Sequence, residues 1–449
     1  MASDRGEFSS RFGFIMAAAG SAVGLGNIWG FPTQAASNGG AAFLLVYLLL
    51  AFILAYPVLM AELIIGRHAH ANAVRALQTI ASRPLSKRVG AGAGIVGLVV
   101  ASFILSFYAI VAGWMMAHCL GSLAALAGFD ALEAWLVGFS LERNALFMLV
   151  FMTATAGIIS AGVHQGIERW SSRLMPLLLV TMLALVIYVL TLDGAMDGLR
   201  VYLLPDFSAA LAPSLVIKAM GAAFFSLSLG VGTMLIYGSY LSDRESLPVV
   251  GGLVTGVDIG IAVLAGFLVL PAMYVALASG VEIFTPTGQL ISEDTLIFTV
   301  LPELFATMGA AGALVSLLFF FLMAIAALTS SISMLEPPVA YAIEEHGLTR
   351  QRAVVLISLI IAAISGTILL NFDALFGLVI AATTRYSQPL LGLVFCLYVG
   401  WVWNRNGLLQ ELREGAPRVE HTMFWRIWPW HVRFVCPLII AAIFVQNLL

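Results

Sequence analysis

An all-α, polytopic membrane fold is what three observations on this sequence predict. Hydrophobic residues make up 61% of the 449 and charged residues only 10%, where a soluble domain carries roughly 25% charge. The mean hydropathy is +1.02. Apolar runs long enough to cross a hydrocarbon core of roughly 30 Å recur along the whole chain. Together these exclude a soluble enzyme. The formal charge is −3, from 21 Lys and Arg against 24 Asp and Glu, so no basic surface points to nucleic acid. Cys119, Cys396 and Cys436 stand singly in apolar runs. They read as buried thiols, not as a disulfide framework or a metal site.

The N-terminal MASDRGEFSSRFGF lacks the pattern of a cleaved signal peptide, so the first span is read as part of the working protein. Apolar segments follow near residues 12–36, 41–65, 90–126, 145–161, 170–192, 214–240, 248–280, 309–342, 352–371, 375–403 and 428–448. Eleven spans are therefore expected. Those longer than the minimum read as tilted or partly extramembrane helices. With the N-terminus in the cytoplasm, only Arg143, Arg200, Lys218 and Arg385 among the basic residues fall on the outer side. That imbalance predicts an N-in, C-out protein of the plasma (inner) membrane. Asp130, Glu133, Asp193, Asp197, Asp206, Glu293 and Asp294 fall in the outer loops. The whole of 1–449 reads as one membrane domain, and the outer connection near 281–308 mixes apolar and acidic residues as a short lid would.

Two spans break the rules of a membrane helix. Span 1 clusters Gly20, Gly24, Gly26, Gly30 and Pro32 around Asn27, and span 6 places Ser226, Ser228, Gly230 and Gly232 at mid-depth. Each glycine costs about 1 kcal/mol relative to alanine in a helix. An unwound segment is tolerated in the membrane only where it lines a cavity. Small residues also permit close helix packing. Interruptions in the first and the sixth span favour the other reading, an inverted 5+5 repeat with its site at the broken helices. Repeat 1 would cover about 11–192, repeat 2 about 214–403, with an extra helix at about 428–448.

Asp258 lies within an otherwise neutral span, and no Lys or Arg occupies the central part of any span. A lone carboxylate there needs a partner, either a cation or a proton. Hard oxygen donors nearby favour an alkali ion, while a protonated Asp258 bonded to a neighbouring helix is the structural alternative. Glu62 and Glu336 read as structural, tying helix ends and freed backbone groups. Thr329, Ser330, Ser331 and Ser333 either bond back to the preceding turn or serve as neutral oxygen ligands.

Four segments then carry a family likeness. GSAVGLGNIWGFP after an N-terminal arm with Arg5, SFYAIVAGW at 106–114, FFSLSLGVGTMLIYGSY at 224–240 and ALTSSISMLEPP at 327–338 resemble the neurotransmitter:sodium symporter family in a short bacterial, leucine-transporter-like form. The likeness spans residues 1 to about 345, and the last three spans fit by topology alone.

The resemblance implies two sodium sites. One would use the carbonyls of Gly20, Val23 and Ala326 with the hydroxyls of Thr329 and Ser330. The other would use the Ala22 carbonyl, Asn27, Ser226, Asp258 and a carboxylate oxygen of the cargo. Because Asp258 supplies a fixed negative charge, chloride is not expected to be required. The family's amine carriers place Asp at the position of Gly24, so retention of glycine implies an amino-acid cargo. Ala22, Gly24 and Gly26 would offer backbone to its carboxylate, Tyr108 a hydrogen bond, and Phe225 a cover. Ile104, Ser228, Val231, Ser330 and Met334 would line the side-chain pocket, of a size for a medium or large apolar L-amino acid.

The same likeness implies an inner gate of Arg5 and Glu344, with Tyr240 and Ser239 beside them. The outer gate departs from the pattern. Gly30 stands where the family has an arginine, and span 10 shows IAATTRYSQP with Arg385 but no aspartate. Outer closure would then rest on Tyr108, Phe225, loop packing or Arg385. The expected protein is a sodium-coupled amino-acid symporter and not an enzyme, a monomer or weak dimer in the lipid bilayer. A proton-coupled carrier, a ligand-gated channel and a non-transporting amino-acid sensor are the readings it competes with.

Overall fold

Arg11 opens the first helix because Ser10 caps it, its hydroxyl accepting the Gly13 N–H at 3.0 Å. In the computed structural model, which describes residues 6–204, 212–283, 290 and 296–448, that helix ends at Ala22 and resumes as Gly26–Ser37, bent by 54°. Eight further helices are long and apolar enough to cross a membrane: Ala41–Ala69, Pro84–Leu126, Leu141–Ser160, Val163–Leu190, Leu247–Ala278, Ala311–His346, Arg350–Leu370 and Met423–Val445. Span 10, Phe372–Val402, turns by 105° into the amphipathic helix Arg405–Gly415. Span 6 is the pair Pro213–Ser226 and Thr233–Gly238. Each of the eleven predicted spans thus has a counterpart, and the fold is all-helical.

The breaks have local causes. After Ala22 the chain takes extended geometry at Val23, with φ −75° and ψ 103°. Between the halves of span 6, Ser228, Gly230 and Gly232 have φ of 51°, 78° and 77°. Glycine adopts such angles at no steric cost, whereas Ser228 is held there at a cost. At Gly230 a side chain is excluded twice over, because an added Cβ would also lie 2.1 Å from the Gln388 carbonyl oxygen.

Span 8 lies along span 3, and the first half of span 1, Arg11–Ala22, packs against spans 5, 7 and 8. Its last six residues, Ala17, Ala18, Ala19, Gly20, Ser21 and Ala22, are small and buried all round, which lets the backbones approach closely. Val180, Ile187, Leu359 and Leu438 on spans 5, 9 and 11 are more than 60% exposed. That outward apolar face is what a lipid-facing surface requires.

One end of the bundle is tied by ion pairs. Arg67, fully buried at the end of span 2, binds the Glu411 carboxylate at 2.6 Å and the Glu245 carbonyl at 2.7 Å. Arg75 pairs with Glu345, and Arg350 with Glu336. At the other end Leu296–Thr307 forms a helix in the connection expected to act as a lid. Arg5, Asp206, Glu293 and Asp294 lie outside the described residues.

Candidate functional site

The two breaks face each other at the centre of the bundle. Ser228 Oγ donates to the Ser21 carbonyl at 2.9 Å, joining the unwound part of span 6 to the end of the first half-helix. Around this junction a small cavity is lined by Ala22, Gly24, Gly26, Ile104, Tyr108, Phe225, Ser228, Val231, Ser330 and Met334, together with Leu25 and Gln388. The sequence reading named the first ten and missed the last two. Gln388 stands in Ser-Gln-Pro within an apolar span, and that polar residue beside a helix-disturbing proline was the available signal. Its Nε2 donates to the Leu229 carbonyl at 3.1 Å, while its buried Oε1 has no hydrogen-bond partner among the described residues.

Freed backbone groups are met by side chains from neighbouring spans, as burial demands. The Gly230 N–H donates to Glu62 Oε1 at 2.7 Å, so Glu62 does serve unwound backbone. The Leu25 N–H donates to Tyr108 Oη at 3.3 Å, and the Gly24 N–H to Asn27 Oδ1 at 3.3 Å. Space beside Gly24 is fully taken: a Cβ there would lie 2.4 Å from Ser330 Oγ and 2.6 Å from Tyr108 Oη. Phe225 covers Gly26, whose added Cβ would meet its ring at 2.8 Å.

Asp258 is wholly buried. Asn27 Nδ2 donates to its Oδ1 at 2.7 Å, and Ser226 Oγ lies 2.9 and 2.8 Å from its two carboxylate oxygens. Tyr47 Oη in turn donates to Ser226 at 3.2 Å. No Lys or Arg lies within ion-pair distance of Asp258 among the described residues. The carboxylate therefore sits among neutral donors, a setting that a small cation or a proton would complete.

A second oxygen cluster lies where span 8 meets span 1. Ser330 Oγ is 3.3 Å from the Gly20 carbonyl oxygen and 3.1 Å from that of Val23, and Thr329 Oγ1 is 3.0 Å from that of Ala326. These are hard, uncharged donors of the kind that suit alkali and alkaline-earth ions rather than soft metals. Ser333 bonds Ser21 at 2.7 Å and Ser331 bonds Thr155 at 2.8 Å, so those two hydroxyls hold helices together.

Of the expected inner-gate residues, Arg5 lies outside the described residues, while Tyr240, Ser239 and Glu344 make the following contacts. Tyr240 Oη donates to Glu336 at 2.7 Å, and Arg350 binds both oxygens of the same carboxylate at 3.1 and 2.6 Å. Glu336 thus joins side chains of three segments instead of serving freed backbone. Glu344 accepts from the backbone and side chain of Asn72, each at 2.9 Å. Ser239 bonds the Ile236 carbonyl. At the opposite end Arg385 is exposed and makes no ion pair among the described residues. Phe298 instead packs on Trp29, Trp114, Phe139 and Phe320 with ring centroids 5.5 to 6.3 Å apart.

Two helices broken at mid-bundle, an oxygen-rich centre and a small cavity between the breaks define a secondary membrane transporter. The model of the sodium:neurotransmitter symporter family matches residues 5–138 and 128–449. A sodium-dependent transporter of Bacillus subtilis (strain 168), YhdH, is 33% identical over 461 residues, covering 98% of this chain and 97% of that protein. One from Haemophilus influenzae is 32% identical over 470 residues, covering 99% and 98%. The crystal structure of MhsT in complex with L-phenylalanine superposes with a TM-score of 0.84 at 35% identity, covering 98% of this chain and 99% of that one. The chain belongs to the sodium:neurotransmitter symporter family. It is a sodium-dependent transporter and not an enzyme.

Proposed function

We propose that this protein carries a medium or large apolar L-amino acid into the cell with sodium, by alternating access. The observation that carries this reading is the occupied space beside Gly24: with Ser330 Oγ and Tyr108 Oη against it, the site has no room for a side-chain carboxylate to pair with an amine. The cargo therefore brings its own carboxylate, received by the backbone at Ala22 to Gly26 and by Tyr108. Helix ends and unwound backbone favour such an anion. MhsT, similar along its full length, holds L-phenylalanine, which supports an apolar cargo. Ile104, Val231 and Met334 would meet its side chain, Met334 as an adaptable wall.

One sodium would be held by Ala22, Asn27, Ser226 and Asp258 with a cargo carboxylate oxygen, and a second by Gly20, Val23, Ala326, Thr329 and Ser330. The shared oxygen makes coupling reciprocal, since each ligand completes the site of the other. With Asp258 carrying a fixed charge, chloride is not needed. The protein lies in the plasma membrane with its N-terminus inside and its C-terminus outside. On inward opening Arg5 would part from Glu344 and the first half-helix of span 1 would swing away.

Counterflow with a panel of L-amino acids, in sodium and in choline media and repeated with Asp258→Asn, tests the reading. Apolar amino acids should exchange in sodium only, and the variant should lose sodium dependence. Uptake that follows pH but not sodium would overturn it in favour of proton coupling. Sodium-stimulated binding without accumulation would overturn it in favour of a sensor.

A further inference from the structure

Two aromatic and basic runs, WVWNR at 401–405 and RIWPWHVRF at 426–434, have no part in the site above. The fold brings them together. Span 10 ends at Val402 and the chain turns by 105° into Arg405–Gly415, while span 11 starts at Met423. The corner encloses a cavity of about 180 Å3 whose walls include Trp401, Trp403, Arg405, Trp430 and Arg433. Gly400 permits the close approach, because a Cβ there would lie 2.8 Å from Arg433 Cα. Trp401 Nε1 donates to the Arg433 carbonyl at 2.9 Å.

Arg67, Arg75, Arg350 and Arg413 each pair with a carboxylate. Arg405 and Arg433 have no carboxylate within 4 Å among the described residues, and meet only aromatic faces. Arg433 stacks 4.2 Å from the Trp401 ring, and its Nε is buried without a hydrogen-bond partner among the described residues. A guanidinium so placed has donors to spare and a fixed plane, which suits bidentate binding of a phosphate.

The level of the cavity in the bilayer names the source of that phosphate. Trp401 and Trp430 are 53% and 56% exposed at the rim, as tryptophans are at the headgroup boundary. The bundle end concerned is the arginine-rich one, facing the leaflet that carries anionic lipid. We propose that the corner between spans 10 and 11 is a binding site for the headgroup of an anionic phospholipid. Arg405 and Arg433 hold its phosphate and the tryptophans flank its glycerol backbone.

Native mass spectrometry of the full-length protein, loaded from equimolar phosphatidylglycerol and phosphatidylethanolamine with the same acyl chains, tests this. The wild type should retain phosphatidylglycerol by roughly thirtyfold over phosphatidylethanolamine, the effect of two basic side chains near a charged headgroup. Arg405→Gln with Arg433→Gln should bring the ratio close to one. Arg405→Lys with Arg433→Lys should keep most of the preference, and glycerol 1-phosphate in millimolar excess should not displace the lipid. Equal retention of both lipids by the wild type overturns the proposal whatever the variants do. So does a preference that survives the glutamine pair, or displacement by the soluble phosphate.

Discussion

Asn27, just past the break in span 1, donates to the carboxylate of Asp258 in span 7 at 2.7 Å. The bond joins the unwound helix to a buried charge 231 residues away in sequence and fixes both against Ser226. Both residues belong to the ion site proposed to share an oxygen with the cargo.

Asp258→Asn should fold and reach the membrane, since asparagine can still bond Ser226, but should lower sodium-stimulated uptake at least about tenfold. That is the equivalent of one charge-assisted interaction of roughly 1.5–3 kcal/mol. Initial rates in proteoliposomes at graded sodium check it. An unchanged half-saturating sodium concentration contradicts it.

Gly24→Ala inserts a methyl group at 2.4 Å from Ser330 Oγ and 2.6 Å from Tyr108 Oη. Overpacking of this kind costs about 1–3 kcal/mol. The expected result is a lowered melting temperature together with cargo binding weakened about tenfold or more, read by a melting curve alongside equilibrium binding.

Glu62→Ala removes the acceptor of the buried Gly230 N–H. An unsatisfied buried donor costs about 1–3 kcal/mol, so the melting temperature in detergent should fall. Glu62→Gln keeps an acceptor oxygen and should fall less. Equal losses in the two variants would point to packing, not to the hydrogen bond.

Much of this was legible in the sequence because glycine and serine clusters report a broken helix locally. The ten pocket residues that the sequence points to lie in short motifs around those breaks and within spans 3 and 8, and the cavity gathers all ten. The partner of Tyr240 was not legible. Glu336 meets it across 96 residues and is itself bound by Arg350, 14 residues on, and no periodicity encodes which buried groups will pair. Gln388 was missed for the same reason: its bond to the Leu229 carbonyl spans 159 residues. The end of the bundle around Gly30 was half legible, since Gly30 announced the missing charge, but the stack around Phe298 depends on tertiary packing.

Acid should loosen the helix Arg405–Gly415, which lies outside the spans. Burial pushes the Glu411 carboxyl up, but the bonds from His68 and Arg67 outweigh it and leave it below the usual carboxylate range. A carboxyl lowered by folding stabilises the fold above its unfolded pKa of about 4.3, and that contribution is lost as pH falls through the lower folded value. Melting temperature should therefore drop below about pH 5 more steeply in the wild type than in Glu411→Gln. Parallel profiles would show that the pair does not anchor this helix.

The most direct test of the shared ion and cargo site is the affinity of purified protein for L-phenylalanine, measured in sodium and in choline, set against sodium affinity measured with and without L-phenylalanine. A cargo oxygen that completes the Asp258 site requires the two enhancement factors to be equal and well above one. An L-phenylalanine affinity that is the same in both salts would mean that the oxygens around Asp258 do not hold sodium beside the cargo.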